Sequence, residues 1–211
     1  MKLKVIIVDY GLGNIRSAEK SISTAIKLNN LDGSVSSSSN YQAIKDASHI
    51  VLPGQGAFEA CINGLKALDG MIEELNNQVI NKKKPMFGIC VGMQLLASKS
   101  LEKGVHQGLG WVKGDILKLP SENLILPHMG WNEIKIEKKH PVFDGLTKNN
   151  FYFVHSYYFN IVDKSNILAT SEYGINFPAF IAKDNIYGAQ FHPEKSSESG
   201  IKLLKNFLTL I

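Results

Sequence analysis

Hydrophobic residues in the N-terminal half fall into short unbroken runs, Val5 to Val8, Ile50 to Leu52 and Pro85 to Ile89, each ending in glycine or turn chemistry. Runs of that length without polar alternation are the pattern of strands buried on both faces. Between them the spacing changes to the helical period, with Ile15, Ala18, Ile22, Ala25 and Ile26 inside Asn14 to Leu28, and Met71, Ile72, Leu75 and Val79 further on. Alternating strands and helices predict a parallel sheet. Ser34 to Ser39, with one valine inside it, reads as a surface loop.

The second half changes character. Trp111 to Leu119, Ile134 to Ile136, Phe151 to Val162, Ile167 to Ser171 and Ala179 to Phe191 are rich in aromatic and β-branched residues, with Asp184-Asn185 as a hairpin turn. These predict antiparallel additions to the sheet. A last helix is expected over Ser199 to Ile211, where Ile201, Leu204, Phe207, Leu208 and Ile211 make one apolar stripe. The expected fold class is α/β: a mixed, largely parallel sheet flanked by helices, with antiparallel additions in the C-terminal half.

Composition narrows the function classes. The 211 residues suffice for one sizeable core, so a single domain over residues 1–211 is expected, and 44% hydrophobic with 20% charged residues excludes a disordered or fibrous chain. The net charge of +4 includes Lys82, Lys83, Lys84 and Lys138, Lys139, which are not interleaved with aromatics, so no nucleic-acid partner is expected. The start of the chain reads neither as a signal peptide nor as a spanning helix, which predicts a cytoplasmic protein with no membrane partner. In that compartment Cys61 and Cys90 are expected as free thiols, Cys61 packed in a helix. The six histidines show no HxH, HExxH or CxxC spacing, so neither a metal nor any other cofactor is expected.

The chemistry concentrates in three segments. Gly88-Ile89-Cys90-Val91-Gly92 follows an apolar strand and precedes a helical segment, Met93 to Ser98, which makes it a strand-to-helix elbow. Flanking glycines let neighbouring backbone pass closely around a strained central residue. A thiol at a helix N-terminus is also favoured as thiolate. Alone, the motif suits a small packed cysteine better than a nucleophile. Phe191-His192-Pro193-Glu194-Lys195 changes that balance, because in extended chain His192 and Glu194 point to one face, with Pro193 stiffening the link. A thiol, an imidazole to move its proton and a carboxylate to orient the imidazole are what acyl transfer from an amide needs. Leu52-Pro53-Gly54-Gln55-Gly56 is a second glycine-rich loop at a strand end, and backbone N–H groups of Gln55 and Val91 suit an oxyanion. Tyr10-Gly11-Leu12-Gly13-Asn14 fails as a dinucleotide fingerprint, since Arg16 stands where the third glycine is needed.

PGQG, GICVGMQ and FHPE in this order and spacing resemble the class I, triad-type glutamine amidotransferases over essentially the whole chain. The resemblance implies catalysis by Cys90, His192 and Glu194 and glutamine contacts from Gly54, Gly56, Gln94 and the His155-Ser156-Tyr157 stretch. Asp9 to Asn14, Pro127-His128-Met129-Gly130-Trp131-Asn132, Phe151 to Tyr157 and Lys195-Ser196 are similar to the glutaminase subunits of imidazole glycerol phosphate synthase. That likeness implies a heterodimer with a (β/α)8-barrel cyclase of histidine biosynthesis, and a partner surface including Asn14, Trp131, Tyr152 and Lys195. Core packing is the other reading of Trp131 and Tyr152. Gln55 and Val91 depart from the valine and leucine usual there, which leaves the backbone donors intact. The alternatives are a glutaminase subunit of anthranilate, aminodeoxychorismate or sugar-modifying type, or a non-catalytic binding protein of the same fold.

Overall fold

The computed structural model describes residues 2–120, 122 and 124–210. Its main sheet has eight strands. Five run parallel: β1 (Leu3–Val8), β2 (Gly33–Ser38), β3 (His49–Gly54), β4 (Met86–Cys90) and β14 (Ile186–Ala189). Three strands follow, each antiparallel to its neighbour, β13 (Asn176–Lys183), β12 (Ile167–Glu172) and β9 (Lys135–Ile136), giving the order β2-β1-β3-β4-β14-β13-β12-β9. Lys183 pairs with Ile186 around Asp184-Asn185, so the expected hairpin turn is present.

Every residue of β3, β4 and β14 is buried, because layers cover both faces of the sheet. Helix α1 (Ile15–Leu28) presents Ala18, Ile22, Ala25 and Ile26 to the core and packs against the C-terminal helix, Ser197–Thr209. Phe207 of that helix lies against Phe87 of β4 and Tyr187 of β14. Ile211, the last residue of the expected stripe, lies outside the described residues.

The structure corrects several sequence expectations. Ser34 to Ser39 is not a loop: Gly33–Ser38 is the edge strand β2, paired along its length with β1. Its serines do not need burial, since an edge strand is held by backbone pairing on one side and solvated on the other. The aromatic run Phe151 to Val162 is two strands broken at Ser156, β10 (Asn150–His155) and β11 (Tyr157–Ile161). They do not extend the main sheet. β10 pairs with β8 (His128–Glu133), a strand the apolar pattern did not reveal, while β11 joins a four-stranded sheet with β7 (Gly114–Lys118), β5 (Lys99–Ser100) and β6 (His106–Gln107). The expected helix Met93 to Ser98 is one turn only, Val91–Gln94. The carbonyls just beyond it turn to a later loop instead of continuing the helix, with Leu109 N–H donating to Leu95 O and Gly110 N–H to Ala97 O at 2.8 and 2.9 Å.

Candidate active site

Parallel pairing brings the three chemical segments to one edge of the sheet. Gly54 at the end of β3 pairs with Cys90 at the end of β4, and Ile89 pairs with Ala189, so the residues after β14 emerge beside the cysteine. Cys90 has φ 54°, a left-handed conformation that costs a non-glycine residue strain and turns its side chain out of the strand. Two glycines make this possible. A Cβ on Gly92 would sit 1.8 Å from Leu52 O, and one on Gly88 would sit 2.7 Å from Gly92 O.

His192 and Glu194 meet differently from expectation. Pro193–Lys195 is a turn of 3-10 helix, not extended chain. The turn still puts His192 Nδ1 2.8 Å from Glu194 Oε1, with both side chains almost wholly buried. The backbone frames the pair: His192 N–H donates to Tyr152 O at 2.8 Å, and Ser196 Oγ donates to His192 O at 2.6 Å. Since Nδ1 is engaged by the carboxylate, Nε2 is the nitrogen left for proton transfer, and it is buried with no hydrogen-bond partner among the described residues. Burial acts to lower the imidazole pKa, but the Cys90 thiolate and the Glu194 carboxylate outweigh it and hold the ring well above its usual value.

A cavity of about 300 Å³ opens at this point, lined by Gln55, Gly56, Cys90, Val91, Gln94, His155, Ser156, Tyr157 and His192 among others. All are residues singled out from the sequence. Gly54 lies behind the lining, where a Cβ would approach Gly92 N to 2.6 Å, and Glu194 stands behind His192. The cavity also holds Glu102, Pro127 and Val154, which sequence reasoning missed. Glu102 accepts the Phe58 N–H at 2.7 Å, a contact across 44 positions that no local pattern announces. The end of β3 is anchored by Tyr10, whose hydroxyl donates to Pro53 O at 2.6 Å. Cys61 is a free, buried thiol, yet it does more than pack: its Sγ lies 3.4 Å from Gln55 O.

Of the residues expected at a partner surface, Trp131 is 55% exposed and so is not a core aromatic. Its ring meets Tyr152 edge to face at 6.3 Å, and Lys195 Nζ lies 5.7 Å from the Tyr152 ring. Neighbouring Met129 is 63% exposed, which gives β8 an apolar outer face. Asn14 is half-buried at the start of α1, next to Gly13, which packs against Pro53.

A strand-to-helix elbow bearing Cys90, an imidazole–carboxylate pair and a shared cavity thus meet at one edge of the doubly covered parallel sheet of an α/β protein. The chain belongs to the class-I glutamine amidotransferase family, whose model matches residues 6–211. It is 44% identical over 211 residues to the imidazole glycerol phosphate synthase subunit HisH of Pelagibacter ubique (strain HTCC1062), covering 99% of this chain and 100% of that protein. The subunit of the same name from Brucella suis biovar 1 (strain 1330) is 43% identical over 212 residues, covering 98% of each. In fold, the chain matches the crystal structure of a glutamine amidotransferase with a TM-score of 0.73 at 17% identity, over 97% of this chain and 96% of the other. The crystal structure of a glutamine amidotransferase from Thermotoga maritima gives 0.62 at 17% identity, over 94% of this chain and 79% of the other.

Proposed function

We propose that this chain is the glutaminase subunit of an imidazole glycerol phosphate synthase, working as a single amidotransferase domain over residues 1–211, with Cys90, His192 and Glu194 as its catalytic triad. The observation that carries the reading is the left-handed Cys90 at the end of β4, sharing a cavity with a His192 whose Nδ1 is held by Glu194 at 2.8 Å. In this mechanism the Cys90 thiolate attacks the side-chain amide carbon of glutamine. The oxyanion is met by backbone N–H groups of Gln55 and Val91, and His192 protonates the departing nitrogen, so the C–N bond breaks and ammonia leaves. A thioester remains. His192 then takes a proton from water, the hydroxide attacks the thioester, and glutamate is released as the thiolate re-forms. Gly54, Gly56, Gln94, His155, Ser156 and Tyr157 shape the glutamine site.

The released ammonia is used by a partner protein, the (β/α)8-barrel cyclase of histidine biosynthesis, docked over Asn14, Trp131, Tyr152 and Lys195. Full-length identity above 40% to subunits of imidazole glycerol phosphate synthase supports this over an anthranilate, aminodeoxychorismate or sugar-modifying partner. The reading is tested by assaying glutamine hydrolysis of the purified chain alone and with the cyclase and its acceptor present. Cys90→Ala is expected to abolish glutamine-dependent turnover while the complex still uses ammonium salts. Retained glutamine hydrolysis in Cys90→Ala sinks the nucleophile assignment.

A further inference from the structure

A chain of hydrogen bonds runs beneath the cavity through two buried amides. Gln94 is 3% exposed and Gln190 fully buried. Buried amides are costly unless every group finds a partner, so their orientations are tightly determined. Tyr157 O fixes the direction. A carbonyl only accepts, so the Gln94 group 3.0 Å from it is the NH₂. The same nitrogen lies 3.0 Å from the Gln190 side chain, which must therefore present its oxygen. Gln190 is then left with its own NH₂ facing the other way, 3.8 Å from Cys90 Sγ. Register explains the placement: Ala189 pairs with Ile89, so Gln190 stands beside Cys90 on the neighbouring strand end.

Two kinds of group thus compete for the sulfur. Val154 O, 3.8 Å away, accepts a proton and favours the thiol. An amide N–H donates and favours the anion. We propose that Gln190 is a positioning residue for the nucleophile, its N–H aimed at the Cys90 sulfur by the Tyr157–Gln94 chain so that the thiolate is stabilised and held toward the cavity. The inference rests on the reading of Cys90 as nucleophile. It also gives Gln94 a second duty, orienting Gln190 from below while lining the glutamine site.

The test is the pH dependence of Cys90 alkylation by iodoacetamide in the purified chain, followed on the Cys90 peptide by mass. Gln190→Met keeps length and volume but has no donor. The double variant Gln94→Met/Gln190→Met removes both amides, leaving no orphaned N–H, and keeps the test open where the single variant fails to fold. The other titratable groups acting on the sulfur, His192 after β14, Tyr10 after β1 and Cys61, are unchanged in both. The alkylation midpoint is expected to rise by about one pH unit or more, a tenfold loss of thiolate at lower pH. In the complex, kcat for glutamine hydrolysis by Gln190→Met is expected to fall about tenfold at neutral pH and recover as pH rises, with KM little changed. An unmoved midpoint in a folded variant overturns the proposal, as does lost activity without a pH shift, which marks packing alone. Failure of the nucleophile reading shows separately, as activity surviving in Cys90→Ala.

Discussion

Cys90, His192 and Glu194 illustrate how much of a residue's role comes from the one beside it. The carboxylate 2.8 Å from Nδ1 decides which nitrogen of His192 is free, and against the lowering by burial Cys90 and Glu194 together raise the imidazole above its usual value. Such groups act as a unit, so single losses do not add. His192→Ala is expected to lower kcat by roughly 10⁴- to 10⁶-fold, because proton transfer to the leaving nitrogen is lost. Glu194→Gln is expected to be milder by about ten- to a hundredfold, since it orients the ring without carrying a proton. Steady-state kinetics of both variants in the complex check the order; a more damaging Glu194→Gln would reverse the roles. These three residues were legible because their motifs are local in sequence. Gln190 was not. It sits two positions before His192, and only the β4–β14 register shows that it touches the sulfur.

At the scale of elements, β8 connects a surface to the site. Its burial alternates, His128 inward and Met129 and Trp131 outward, and β10 lies alongside with Tyr152 opposite Trp131. Inward, His128 Nδ1 lies 3.0 Å from His155 Nε2, and His155 Nδ1 donates to Tyr157 O at 2.9 Å, the same carbonyl that orients Gln94. Outward, the exposed indole has little to do for the fold. Trp131→Ala is expected to change the stability of the isolated chain by no more than about 0.5 kcal/mol. In the complex it is expected to raise the ammonia lost to solvent per acceptor converted several-fold, measured by coupled assays of both products; unchanged coupling would return Trp131 to a neutral surface position. The sequence pattern missed β8 because its outward face carries apolar residues where a solvated strand carries polar ones, which blurs the alternation.

Across the whole molecule, buried neutral histidines set an acid limit. Burial lowers His155 to about 3 and His49 to about 4, so neither is charged in the fold near neutrality, whereas both take up a proton in the unfolded chain below about 6.5. The unfolded state then binds more protons, and stability present above 6.5 is lost as pH falls toward those values. His155 alone contributes a loss of about 2 kcal/mol between pH 7 and pH 5 at roughly 1.36 kcal/mol per unit below 6.5. Urea unfolding of the wild type and His155→Gln at both pH values is expected to show that extra loss in the wild type; parallel losses would mean that His155 is not held neutral. What the sequence determined by itself was whatever depends on near neighbours along the chain: the buried parallel strands, the elbow at Cys90, the imidazole–carboxylate pair and the hairpin at Asp184-Asn185. What depends on pairing across the chain was decided only by the tertiary structure. Serine-rich β2 is a strand because β1 offers it a ladder, Phe151 to Val162 divides at Ser156 because its halves find different partners, and the helix after Cys90 stops at one turn because the carbonyls that would extend it pair with the loop around Leu109. Glu102, which lines the cavity and holds the Phe58 N–H 44 positions away, and Gln190, which lies beneath it against the Cys90 sulfur 100 positions away, are placed by contacts that no short window of residues contains.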